Sequence, residues 1–251
     1  CDFHPLRTDD GGTVTGRFSS SNPNLQQIPS RDLEIKKAIR GLFIPEENCK
    51  WGSFDYASQE PRWLAHYCAN AGESYRHHLI DEVVTMYKEG KADFHQMVAD
   101  MAKISRKEAK TVNLGIMYGM GRKKLADTLS ITEQEAIELL DTYNQKVPFV
   151  KDLATRVSNF AQEKGMIRTH SGRKCRFDMW EPRGFGVKRA LPMDQAIKEY
   201  QNIQRAFTYK ALNRLIQGSS ADQTKKAMVN CYSEGLCPML TVHDELCFNI
   251  K

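Results

Sequence analysis

Two acidic residues, far apart in the chain, each sit at the end of an apolar stretch with the pattern of a β-strand. The stretch Lys50–Asp55 closes a short apolar run on Asp55. Near the other end, apolar runs flank His243-Asp244-Glu245, which predicts a strand, a tight turn and a second strand, with the acidic pair at the tip. Between these strands the sequence reads mostly as helix. That order predicts an α+β chain: an antiparallel sheet interrupted by a long helical insertion.

The helical block carries clear start and stop signals. Ser105-Arg-Lys-Glu108 is a capping box, so a helix is expected to begin at Arg106 and stop at Gly119 or Gly121. Thr132-Glu-Gln-Glu135 is a second capping box, opening a helix that ends before Pro148. A further helix is expected over 150–163, and a helical pattern covers 62–89. Residues 11–30, rich in Gly, Ser, Asn and Pro, predict an extended loop. Residues 165–192 suggest a hairpin plus loop. Residues 193–234 suggest one or two helices, interrupted near Gly218.

Composition sets the outer limits. Apolar residues make up 41% and charged residues 27%, with a formal net charge of +5. That balance supports a real core and leans only mildly toward an anionic partner. The seven cysteines contain no CxxC pair, which argues against a zinc site or disulfide framework. No apolar run approaches the roughly 18 residues of a membrane helix, and no targeting signal opens the chain. The chain starts without Met and stops inside an apparent strand, so it reads as a fragment.

Three constellations point to chemistry. Two carboxylates at rigid strand ends, Asp55 and Asp244, can hold two hard cations that clamp the attacking and leaving oxygens of a phosphoryl displacement. Taken alone, they read more simply as exposed turn residues, and it is their surroundings that favour the metal reading. Arg106, Lys110, Leu114 and Tyr118 are spaced by four, giving one slowly turning stripe on the predicted helix. Its cations lie in the first turns, where the helix dipole favours a triphosphate, and its aromatic follows where a base would be covered. The bland alternative is an amphipathic surface helix. Third, the polar loop at 15–29 offers an Arg and several amides suited to phosphates and minor-groove acceptors, or serves as a structural loop.

Together these segments resemble the family A, DNA polymerase I-like, DNA polymerases over essentially the whole chain. Residues 15–29 (TGRFSSSNPNLQQIP) resemble the family's TGRxSSxxPNLQNIP. Residues 55–62 (DYASQEPR) resemble motif A, 106–119 (RKEAKTVNLGIMYG) motif B and 242–245 (VHDE) motif C. The spelling QEPR resembles that of phage-type members.

The resemblance implies a right-hand polymerase core: palm at 1–75, fingers at 76–190 and a second, truncated palm segment at 191–251, with thumb and exonuclease domain outside the chain. It implies template-directed transfer of a nucleotide from a dNTP to a primer 3′-hydroxyl, with primer-template DNA as partner. Two Mg²⁺ ions, with Mn²⁺ as the alternative, would sit on Asp55, Asp244 and the Tyr56 carbonyl. His95, Arg106 and Lys110 match triphosphate contacts, and Lys110 also matches the proton donor to pyrophosphate. Leu114 stands where the family usually has Phe or Tyr, at the sugar edge. Glu60 matches the steric gate against the sugar 2′ position, and Tyr118 the aromatic at the templating base. Arg17, Asn24, Gln26, Asn213, Gln217 and His243 match positions that follow primer and template in the minor groove. Glu245 and Arg62 lie near the site without a fixed role.

Tyr209 falls where many relatives have Arg, and Pro61 replaces an apolar helix residue and is expected to alter the following helix start. A single-subunit RNA polymerase core resembles the chain in Lys110 and Tyr118 but lacks an acid at the Glu60 position. An inactive duplex-binding fragment is the other alternative. A cytoplasmic location, in a bacterium or a virus-infected cell, and no homo-oligomer are expected.

Overall fold

A computed structural model describes residues 1–6, 12–29, 32–72, 78–91, 93–184 and 189–251. The parts of the expected loops and helical stretch at 11, 30, 73–77 and 185–188 lie outside the described residues. Along the chain come β1 (Asp2–His4), β2 (Ser19–Ser21), a 3₁₀ turn at Leu25–Gln27, α1 (Leu33–Arg40) and β3 (Lys50–Asp55). Then follow α2 (Gln59–Ala69), α3 (His78–Lys88), α4 (Phe94–Ala102), α5 (Arg106–Met117), α6 (Arg122–Leu129), α7 (Glu133–Lys146) and α8 (Pro148–Lys164). The last third holds β4 (Met166–Arg168), β5 (Lys174–Arg176), β6 (Met179–Pro182), β7 (Leu191–Pro192), α9 (Met193–Glu199) and β8 (Ile203–Arg205). It closes with α10 (Ala211–Ser233), β9 (Pro238–Val242) and β10 (Glu245–Ile250).

These elements form two compact units. One comprises Cys1–Glu60, Thr169–Ser171 and Gln217–Lys251; the other comprises Pro61–Arg168 and Gly172–Ile216. In the first unit, β10 lies between β3 and β9, antiparallel to both. Leu240, Val242 and Cys247 form its core, with Leu25, Ile28, Phe43 and Trp51 packed against them. The expected sheet, helical block, sheet order is therefore what folds, and the class is α+β.

The second unit is mainly helical. Leu64, Ile80, Val98, Val112, Tyr143 and Val150 anchor its core, each at most 1% exposed. Its helix starts follow the capping signals. Ser105 and Glu108 exchange side-chain and backbone hydrogen bonds to open α5, and Thr132 and Glu135 do the same for α7. The last turn of α5 gives way to Tyr118, and Gly119 follows at φ 67°. Pro148 is the first residue of α8, where its missing N–H costs no helix bond.

Four expectations are corrected. The 11–30 segment contains strand β2 and a 3₁₀ turn rather than loop throughout. The 165–192 hairpin, β4 with β5, is followed by β6, which pairs with both β7 and β8. Gly218 does not interrupt a helix. The break comes earlier, at β8, and α10 runs unbroken through Gly218. One glycine costs a helix only about 1 kcal/mol relative to alanine, and Ser219 and Ser220 beside it are buried. Finally, Glu245 is not at the turn tip but is the first residue of β10. Pro61 is accommodated in the first turn of α2, which begins at Gln59 after Ser58 at φ 55°.

Candidate active site

In the first unit, antiparallel pairing sets Asp55 directly opposite Glu245, while Asp244 lies in the adjoining turn between β9 and β10. Asp55 is exposed and ends β3. Its carboxyl pKa is raised from the ordinary value, first by its own partial burial and then by the charges of Asp244 and Glu245. The backbone of Tyr56 and the charge of Arg40 act in the opposite direction. The acids thus crowd one end of the sheet, and a cation would relieve them. Among the described residues, no cluster of three or more His, Cys, Asp or Glu is placed to hold a metal ion. Two carboxylates and a nearby carbonyl nevertheless suit Mg²⁺, which takes one or two protein carboxylates and fills its remaining positions with water and phosphate.

Glu245 is occupied otherwise. It is 9% exposed. Its Oε1 accepts a hydrogen bond from Arg40 Nη1 at 3.0 Å and another from the Ser53 hydroxyl. Burial would raise its carboxyl, but the bonds from Ser53 and Arg40 outweigh this and lower it. Neither Arg40 nor Ser53 stood out in the sequence. Ser53 is two residues before Asp55, so strand alternation places both on one face. Arg40 ends α1, and no local pattern links it to a residue 205 positions away.

The turn carrying Asp244 is held by Gln26. Its Nε2 donates to the Thr241 carbonyl at 2.6 Å, and its Oε1 accepts from the His243 N–H at 2.7 Å. This brace lets His243 sit at φ 59°, a conformation costly for most side chains. Asn24 caps the 3₁₀ turn and accepts from the Gln26 N–H at 3.1 Å. Arg17 forms an ion pair with Glu60, the second residue of α2.

In the second unit, Arg106, Lys110 and Tyr118 lie on the exposed side of α5 and its cap, with Leu114 half-buried between them. Ala109, Val112, Asn113 and Met117 form the buried side. Arg106 Nε lies 2.7 Å from Asp93, which also caps α4 through the N–H groups of His95 and Gln96. The Asn113 amide donates to His95 Nδ1 at 3.0 Å. This leaves the ring proton on Nε2. Burial lowers the His95 pKa; Asp93 opposes the shift, and Lys110 and Arg106 add to it. Arg62 lies over the Tyr87 ring at 4.8 Å. Asn213 and Gln217 are four apart along α10.

The family model described as DNA polymerase family A matches residues 7–251. The chain belongs to DNA polymerase family A. Among family A relatives, a DNA-directed DNA polymerase of Pseudomonas phage M6 is 37% identical, over 95% of this chain and 39% of its own length. DNA polymerase I of Lactococcus lactis subsp. cremoris is 34% identical, over 95% of this chain and 26% of its own. A solved structure, the POL domain of Pol1 from M. smegmatis in complex with DNA primer-template and dNTP, matches with a TM-score of 0.73 at 29% identity, over 95% of this chain and 40% of that one. The chain therefore spans well under half the length of these relatives. No helix among the described residues is long and apolar enough to cross a membrane.

Proposed function

We propose that this chain carries the nucleotidyl-transfer centre of a template-directed DNA polymerase that joins a dNTP to a primer 3′-hydroxyl. The crowding of Asp55 and Asp244 at one sheet end is the observation that carries this reading. Asp55, Asp244 and the Tyr56 carbonyl would hold two Mg²⁺ ions, with Mn²⁺ as the alternative. When bound, the ions supply a lowered pKa at the 3′-hydroxyl and charge neutralisation on the pyrophosphate. The 3′-oxygen forms a bond to the α-phosphorus, the bond to the bridging oxygen breaks, and pyrophosphate leaves.

The other residues position the partners. His95 Nε2–H, Arg106 and Lys110 grip the triphosphate, and the Lys110 ammonium gives a proton to the departing pyrophosphate. Leu114 lies at the sugar edge, Tyr118 at the templating base and Glu60 against the sugar 2′ position. Arg17, Asn24, Asn213, Gln217 and His243 follow the minor groove, while Gln26 contributes through the turn it braces. In the same reading 1–75 and 191–251 are palm and 76–190 fingers, and the protein works in the cytoplasm of a bacterium or an infected cell.

Primer extension by the full-length protein tests this. Asp55→Ala and Asp244→Ala are expected to lower the rate by at least about 10³-fold, since each removes several kcal/mol of charge stabilisation. Near-normal extension by either variant refutes the two-metal assignment. Efficient rNTP use without a primer would favour an RNA polymerase instead.

A further inference from the structure

Arg17 and Glu60 lie 43 residues apart in sequence, yet Arg17 Nη2 and Glu60 Oε1 form an ion pair whose side chains are 25% and 12% exposed. At that depth the pair is less screened than one on the surface.

Both supports are stiff. Arg17 follows a turn in which the Gly16 N–H donates to the Thr13 carbonyl at 3.2 Å, with Gly16 at φ 81°. The Thr13 hydroxyl donates to the Arg17 carbonyl at 3.0 Å. The adjacent Phe18 packs edge-on against Phe3 at 6.1 Å and lies under Lys225 Nζ at 4.7 Å. On the other side, Gln59 is 4% exposed. Its Nε2 donates to the Ser220 carbonyl at 3.3 Å and to the Thr224 hydroxyl at 3.2 Å, tying the start of α2 to α10.

We propose that Arg17 is a specificity-determining residue that sets sugar choice by holding the Glu60 carboxylate in place. This rests on the reading of Glu60 as the group facing the 2′ position. A carboxylate is an acceptor and a ribose 2′-hydroxyl is a donor. Left to rotate, Glu60 would turn and accept that hydroxyl, and the gate would become an attraction. The guanidinium engages the carboxylate and fixes its direction, so a 2′-hydroxyl meets an oxygen that cannot swing to receive it. Lysine would keep the charge but lose the planar fork.

The test is the ratio of kcat/KM for a dNTP to that for its rNTP in the full-length polymerase, for Arg17→Met, Arg17→Lys, Glu60→Ala and the double variant R17M/E60A. Arg17→Met is expected to lower the ratio roughly tenfold or more, the scale of one hydrogen bond to a charged group. Arg17→Lys should fall between it and the unaltered protein. The double variant should discriminate no worse than Glu60→Ala. Any loss of duplex affinity affects both nucleotides alike and cancels in the ratio. If Glu60→Ala lowers the ratio but Arg17→Met leaves it unchanged, the role of Arg17 is refuted while the gate stands. If Glu60→Ala leaves the ratio unchanged, the gate reading fails and this inference fails with it.

Discussion

Glu245 stands opposite Asp55 across the β3–β10 ladder, but its carboxylate is held by Arg40 and Ser53. Two neighbouring acids thus have different circumstances: Asp55 has its carboxyl raised, and Glu245 has its own lowered. Glu245 is thus committed to bonds within the protein, and Asp55 is the acid that the proposed metal assignment uses.

Arg40→Met removes the guanidinium that bonds Glu245. It is expected to cost about 1.5–3 kcal/mol, as for a hydrogen bond to a charged group. The loss would be read from native-state hydrogen exchange of β10 amides. Adding Glu245→Gln should recover part of the loss, because the stranded charge is then gone. Strict additivity would show that the two residues are not coupled.

Asp55→Asn should raise the melting temperature of the metal-free protein, since it removes like-charge repulsion from Asp244 and Glu245. Mg²⁺ should stabilise the unaltered protein more than the variant. A thermal melt with and without Mg²⁺ checks both, and a variant that melts lower in the absence of metal would contradict the crowding argument.

His95 gives the second unit a sensitivity to acid. Its pKa is lowered in the folded chain, so it binds a proton more readily when unfolded. Its contribution to stability is full above the ordinary value of 6.5 and is lost as pH falls through the lowered one. Protection factors of the α4 and α5 amides, taken relative to intrinsic exchange at each pH, should therefore fall on acidification, and His95→Gln should flatten that response. An unchanged acid response in the variant would assign the sensitivity to other groups.

Gly119→Ala should destabilise the end of α5 by roughly 1–2 kcal/mol, because φ 67° disfavours a side chain. The new methyl would also stand 3.1 Å from the Tyr209 ring. Tyr209→Ala relieves only that contact, so the double variant G119A/Y209A should remain less stable than Tyr209→Ala alone in urea unfolding.

Local chemistry was legible in the sequence because it is short-range. The capping boxes at Ser105 and Thr132 satisfy their partners within three residues, and both helices start where those residues place them. The short apolar run that closes on Asp55 likewise placed it at the end of β3. Contacts across long separations left no local trace. Arg40 with Glu245 and Gln26 with Thr241 are more than 200 positions apart. Gly218 misled because the propensity of one glycine was weighed without the packing around it.

The pairing of β3 with β10 also has a consequence in time. At ribosomal rates of about 5–20 residues per second, roughly 190 residues and on the order of 10–40 seconds separate Asp55 from its opposite number. Until then β3 lacks the neighbour that covers it, and a bare strand edge invites pairing with another chain. The helical block emerges meanwhile and can fold on local contacts, which form fastest. The acidic end of the sheet is thus assembled after the helical block, so a nascent chain halted before residue 245 would hold α5 without Asp55 and Glu245 paired across the sheet.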